Sequence, residues 1–157
     1  MSVDNATSCL TVDSVSLKDM TVNTYEDFDS EILPEDLYDN GQSFSGLRRV
    51  QSFTDDDFPE LTFYRFSYSI GLRFLSTEDK AKLKQKEIDL GDANPYLEFK
   101  ATFIAIYRST QELEQDEVRD FGERYVRFHV WPYWRELVQS SCARLQLPPL
   151  VVPPYRV

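Results

Sequence analysis

One histidine serves the whole chain, and the shortages around it narrow the chemistry early. His129 is flanked by Phe128, Val130 and Trp131. A His-rich metal site is therefore excluded, and any Ser-His-Asp triad would hang on this one residue, which reads better as a packed or surface histidine. Glycine is scarce, five residues with none clustered, so no phosphate-cradling loop is present. The two cysteines, Cys9 and Cys142, match no metal or redox spacing and read as free thiols of a reducing compartment. No run approaches the roughly 20 apolar residues that span a bilayer. Met1 to Leu10 has neither a basic region nor an apolar stretch, so no signal peptide is expected. These absences predict a soluble, cytoplasmic protein with no membrane insertion, no metal, no cofactor and no enzymatic site. Asp55-Asp56-Asp57 reads as a solvated loop rather than a cation site, and Arg135 and Glu136 diverge by about 100° on a helix and form no catalytic pair.

What is present is carbon surface and negative charge. With 157 residues, 41% hydrophobic and 14% aromatic, the chain is long enough for one domain with a real core. The net charge of −10 is concentrated: between Glu26 and Glu60 eleven acids face only Arg48 and Arg49. Such a field repels phosphate backbones, which excludes nucleic acid as a partner. It suits a basic partner, or simply keeps an assembly soluble.

Periodicity divides the chain into an early sheet and late helices. Tyr64, Phe66, Tyr68, Ile70, Leu72 and Phe74 alternate with polar residues, which predicts a strand over 61–75. A second strand is predicted over 97–107 from Leu97, Phe99, Ala101, Phe103, Ala105 and Tyr107. Ile104 and Ile106 interrupt its polar face, so that face is expected to be covered in part, by a helix or by another subunit. Between these strands, residues 76–95 read as a long exposed turn. Near the start, Leu10, Val12, Val15, Leu17, Met20 and Val22 change phase twice, as a bulged or bent strand does. Residues 47–53 read as a short strand after an acidic crossover loop, 25–60. Val118, Phe121, Tyr125 and Phe128 then recur at three- and four-residue steps. Pro132 predicts a kink or restart within a helical region, 116–146, with a second helix from about Pro132 to Leu145. The Pro-rich tail, 147–157, is predicted to be extended. The fold class is α+β, a single domain with an antiparallel sheet followed by helices.

Trp131-Pro-Tyr-Trp-Arg-Glu136 followed by Leu147-Pro-Pro-Leu150 resembles the C-terminal half of the protein-export chaperone SecB and its relatives. Leu17-Lys-Asp-Met-Thr-Val22 is similar to that family's first strand, and Phe99-Lys-Ala-Thr-Phe-Ile-Ala-Ile106 to its last. The resemblance implies a four-stranded antiparallel sheet with a long helix, assembling as a dimer of dimers (a homotetramer). It implies an ATP-independent holdase that keeps unfolded polypeptide in apolar grooves. Against the family pattern the chain is expected to be truncated at its C-terminus, without the second long helix and acidic tail. Asp19 falls on an acidic position that contacts the Sec translocase ATPase; the second such position is Asn23. SecB-like chaperones also serve toxin–antitoxin–chaperone systems, where the client is an unstable antitoxin, and that use fits this chain better. The alternatives are a preprotein-export chaperone and an adaptor binding one folded partner.

Client-binding candidates follow from apolar side chains set among carboxylates. They are Phe28, Ile32, Leu33, Leu37 and Phe44 of the acidic loop, Val50 and Phe53 after it, and Leu147, Leu150 and Val152 of the tail. The loop is either a client-facing flap or a segment pinned to the sheet. Pro132, Tyr133, Arg135 and Glu136 are expected to be structural, positioning the helix.

Overall fold

The computed structural model describes residues 3–155, so the last two residues of the tail and the first two of the chain lie outside it. Helix α1 (Val3–Cys9) leads into strand β1 (Thr11–Thr24). Strands β2 (Gly41–Phe53) and β3 (Thr62–Phe74), helix α2 (Thr77–Lys84) and strand β4 (Leu97–Ser109) follow. Helices α3 (Gln115–Arg124) and α4 (Val126–Arg144) complete the fold. The four strands form one antiparallel sheet in the order β1-β4-β3-β2. Because β1 and β2 lie at opposite edges, residues 25–40 must cross one end of the sheet.

The central strands are those the alternation predicts. Every apolar residue of the β4 row is buried, as are Tyr64, Phe66, Tyr68, Ile70 and Phe74 of β3. One layer of helices covers this face. Phe66, Tyr107 and Phe121 meet with ring centroids 5.1–5.9 Å apart, in edge-on and tilted arrangements that add about 0.5–1.5 kcal/mol per pair beyond area burial. Gly122 brings α3 close to the sheet: a Cβ there would meet Leu47 and Phe66 at 2.8 Å.

Strand β1 resolves its two phase changes with register shifts against β4, between Val12 and Ser14 and between Leu17 and Asp19. The extra residues are Asp13 and Lys18. Each shift restores the phase, so Val12, Val15, Leu17, Met20 and Val22 all stand beside core-facing residues of β4.

Three expectations change. The acidic stretch 25–60 is not one loop: the strand expected over 47–53 begins at Gly41, so Phe44 joins Val50 and Phe53 as a strand residue. Residues 76–95 are not only a turn, because α2 forms there with Ser76 as N-cap, its hydroxyl accepting from the Asp79 amide at 3.0 Å. The helical break lies at Tyr125, where α3 ends and α4 starts, and α4 runs straight through Pro132. Proline deprives the Phe128 carbonyl, one turn earlier, of its donor. Phe128 is half exposed, so water can satisfy that carbonyl without a break in the helix.

Helix α4 ends with Gln146 in the left-handed region, φ 56°. The Leu147 amide donates to the Cys142 carbonyl at 2.9 Å, and the Gln146 amide to Ala143 at 3.1 Å, a pairing that usually places glycine at this position. Gln146→Gly is expected to stabilise the fold by about 1 kcal/mol, because glycine carries no steric cost at positive φ. Chemical denaturation followed by circular dichroism measures it, and an unchanged or lowered midpoint would contradict the assignment.

Candidate functional site

The tail folds back along α4 in extended form. Three side chains hold its main chain: Tyr38 Oη donates to the Pro148 carbonyl at 2.8 Å, Arg135 Nε to Val152 at 2.7 Å, and Trp131 Nε1 to Pro153 at 2.7 Å. Leu147 and Val152 are buried beneath it. Further along, the Arg127 guanidinium lies over two neighbouring rings, 4.9 Å from Trp131 and 4.6 Å from Tyr155. Its Nε is buried and without a hydrogen-bond partner.

Beside the tail lies an open, mainly apolar cleft of about 370 Å³. Phe44, Ile70, Leu72 and Phe74 of the sheet, Trp131 and Trp134 of α4, and Leu150 to Pro153 of the tail line it. Phe44 lies across Gly71, whose missing Cβ makes the room: a methyl there would overlap the Phe44 ring. The acidic connection borders this corner through Tyr38, whose ring meets Phe74 edge-on at 5.2 Å.

Of the ten residues expected to face a client, the cleft gathers Phe44, Leu150 and Val152. Leu37 and Leu147 are buried in the core. Leu33 and Phe28 are partly buried against it, Phe28 edge-on to Tyr25 at 5.7 Å. Ile32 is 74% exposed, outside the cleft. The acidic connection thus pins its Leu37 and Tyr38 end to the fold and leaves Ile32 in solvent. Val50 lies with Tyr64 and Val118 in a separate cavity near the start of α3, and Phe53 stacks on Phe63 at 5.2 Å. Trp131, Trp134 and Arg127 belong to the site although the sequence reading passed over them as site residues; two tryptophans three apart on a helix share a face, which was the available signal.

The Pro132–Glu136 motif divides. Pro132, Tyr133 and Glu136 are exposed, while Arg135 fastens the tail rather than the sheet. Trp134, between them, is 1% exposed and carries the packing. Asp19 is exposed on β1.

The titratable groups near α4 are arranged for packing. Tyr107 Oη and His129 Nδ1 are 2.7 Å apart. Burial holds the His129 pKa below its usual value and raises that of Tyr107, so at neutral pH a protonated hydroxyl meets a neutral ring. Burial also raises the Cys142 thiol, which keeps it protonated and unreactive. Among the described residues no three His, Cys, Asp or Glu side chains converge as a metal site would require, and no helix is long and apolar enough to cross a membrane.

A second apolar surface lies at β1. Helix α4 packs over β3, β4 and part of β1, and leaves Val12, Leu17 and Met20 38–44% exposed although their row continues the core face. Between β1 and α4 runs a groove of about 390 Å³ lined by Val12, Val15, Phe128, Trp131 and Tyr133.

No protein family and no curated protein sequence matches the chain. Among solved structures it is similar to the SecB-like chaperone Rv1957 of Mycobacterium tuberculosis, in complex with a ChAD peptide from the Rv1956 HigA1 antitoxin. The TM-score is 0.61 at 15% sequence identity, and the match covers 98% of this chain and 96% of that one. A four-stranded antiparallel sheet followed by helices, matched over nearly the full length of both chains, gives this protein the fold of the SecB-like chaperones.

Proposed function

We propose that the chain is an ATP-independent holdase whose client is an extended, aggregation-prone polypeptide, most simply the antitoxin of a toxin–antitoxin–chaperone system. The observation that carries this reading is the apolar cleft between the β2–β3 corner, α4 and the tail, open to solvent and with Arg127 as its one charged lining residue. An open apolar surface of this kind suits a partner that brings side chains rather than a reacting group. The antitoxin peptide bound to the structural neighbour supports the choice of client. The same reading places self-assembly at the uncovered β1 row and the adjoining face of α4, in a dimer of dimers.

Suppression of aggregation of an unrelated denatured protein, without nucleotide, tests the function. The wild-type chain is expected to suppress it at near-stoichiometric ratios. Phe44→Asp, at an exposed position, is expected to weaken client affinity about tenfold or more, since a client side chain buried there contributes roughly 1.5–3 kcal/mol. Ile32→Ser should change little, because Ile32 stands outside the cleft. A wild-type chain that binds one folded partner and leaves aggregation untouched would favour the adaptor instead.

A further inference from the structure

The tail is held as a holdase would hold a stranger. Three side chains donate to its main-chain carbonyls, at Pro148, Val152 and Pro153, and the Leu150 amide meets the Cys142 thiol. The donors, Tyr38, Arg135 and Trp131, therefore grip a polypeptide without reading its side chains. Burial of Val152, with Leu150 half-buried before it, supplies the apolar part of the hold. The prolines present no amide to satisfy, so the occupant's other side can face water. This is the chemistry by which an extended segment of any sequence is recognised: carbonyls toward fixed donors, aliphatic side chains into pockets.

We propose that the face of α4 bearing Trp131, Arg135 and Arg127 is a track for extended polypeptide, that residues 148–155 are its resting occupant, and that a client displaces them. The inference rests on the holdase reading and specifies how its site works. The client it fits is an extended segment with aliphatic side chains two to three residues apart and no required charge. The hinge is at hand: Leu147 is fixed by its amide to Cys142 and by burial, whereas beyond it the three carbonyl contacts and the buried Val152 do the holding. While the track is empty of client, the tail covers tryptophan surface that would otherwise promote association. A resting occupant lowers apparent client affinity by the fraction of time the track is free.

Trp131 supplies a reporter, because the Tyr155 ring rests 5.8 Å from its indole. In the full chain carrying Cys9→Ser, a bimane dye is placed on the thiol introduced by Tyr155→Cys; Cys142, 1% exposed, stays unlabelled. Contact with the indole should quench the dye, and Trp131→Phe should abolish the quenching. The probe client is reduced, carboxymethylated α-lactalbumin, whose binding is followed separately by fluorescein anisotropy. Dequenching at the same midpoint as binding is the expected result. Client binding with the dye still quenched would overturn the displacement while leaving the holdase reading intact. Absence of binding would remove both. In parallel, Leu150→Ser with Val152→Ser, which loosens the occupant and leaves the Trp131, Arg135 and Arg127 face intact, is expected to tighten client binding about tenfold if the track is occupied nine-tenths of the time. Weakened or unchanged binding would show the tail to be a fixed wall of the site.

Discussion

Trp134→Ala should lower the stability of the fold by about 3–5 kcal/mol, the usual cost of emptying a fully buried aromatic site. Trp134 is 1% exposed and belongs to the same core cluster as Phe66, Tyr107 and Val138. A domain of this size typically has about 5–15 kcal/mol in total, and each kcal/mol moves the melting temperature by roughly 2–4 °C. A fall of about 6–20 °C in the circular-dichroism melt is therefore expected. Trp131→Ala supplies the contrast. That indole is only half-buried and spends its N–H on the Pro153 carbonyl, so its loss should cost about 1–2 kcal/mol and act first on the tail. A Trp134→Ala protein that melts within 2 °C of wild type would mean that α4 is not seated on the sheet as described.

The two tryptophans also show how far sequence alone reached. Their segment carries the resemblance, yet of the motif residues Pro132, Tyr133, Arg135 and Glu136 it is Arg135 that holds another part of the chain. Strands β3 and β4 were legible because they are buried on one face, and period 2 survives intact there. The bulges of β1 were legible from its phase changes. The first half of β2, Gly41-Gln-Ser-Phe-Ser-Gly46, was not, because an edge strand built from small polar residues has no alternation to detect. Helix α2 buries no residue; its only local mark was the Ser76-Thr-Glu-Asp79 cap. Helix α1 is a seven-residue element without an apolar stripe. Its reason is tertiary: Ala6 is fully buried, and Asn5 Nδ2 donates to the buried Glu117 carboxylate at 3.0 Å. The candidate site was legible only in part, through Phe44, Leu150 and Val152. Phe44, Leu150 and Val152 lie more than a hundred residues apart at the extremes, and only the folding back of the tail brings them together.

Leu17→Asp with Met20→Asp is expected to reduce the proposed dimer of dimers to subunits with the mass of a single chain, 18.4 kDa. Both side chains are about two-fifths exposed in the isolated chain, so the carboxylates remain hydrated there and the fold survives. In an interface they would be buried without partners, at a cost of several kcal/mol each. The geometry says how β1 would associate. A long edge strand invites a continued ladder, but its bulges fall at the charged Asp13 and Lys18 and interrupt that edge twice. Packing of faces is left, with Val12, Leu17 and Met20 of one chain meeting the corresponding row of another and Phe128 and Tyr133 of α4 alongside. Light scattering at micromolar concentration should give four times 18.4 kDa for the wild type and the single-chain mass for the double variant, whose circular-dichroism spectrum should match wild type. A monomeric wild type would sink the assembly altogether, and a double variant that keeps the wild-type mass would move the interface away from β1, to the other face of the sheet, where Ile106 is partly exposed.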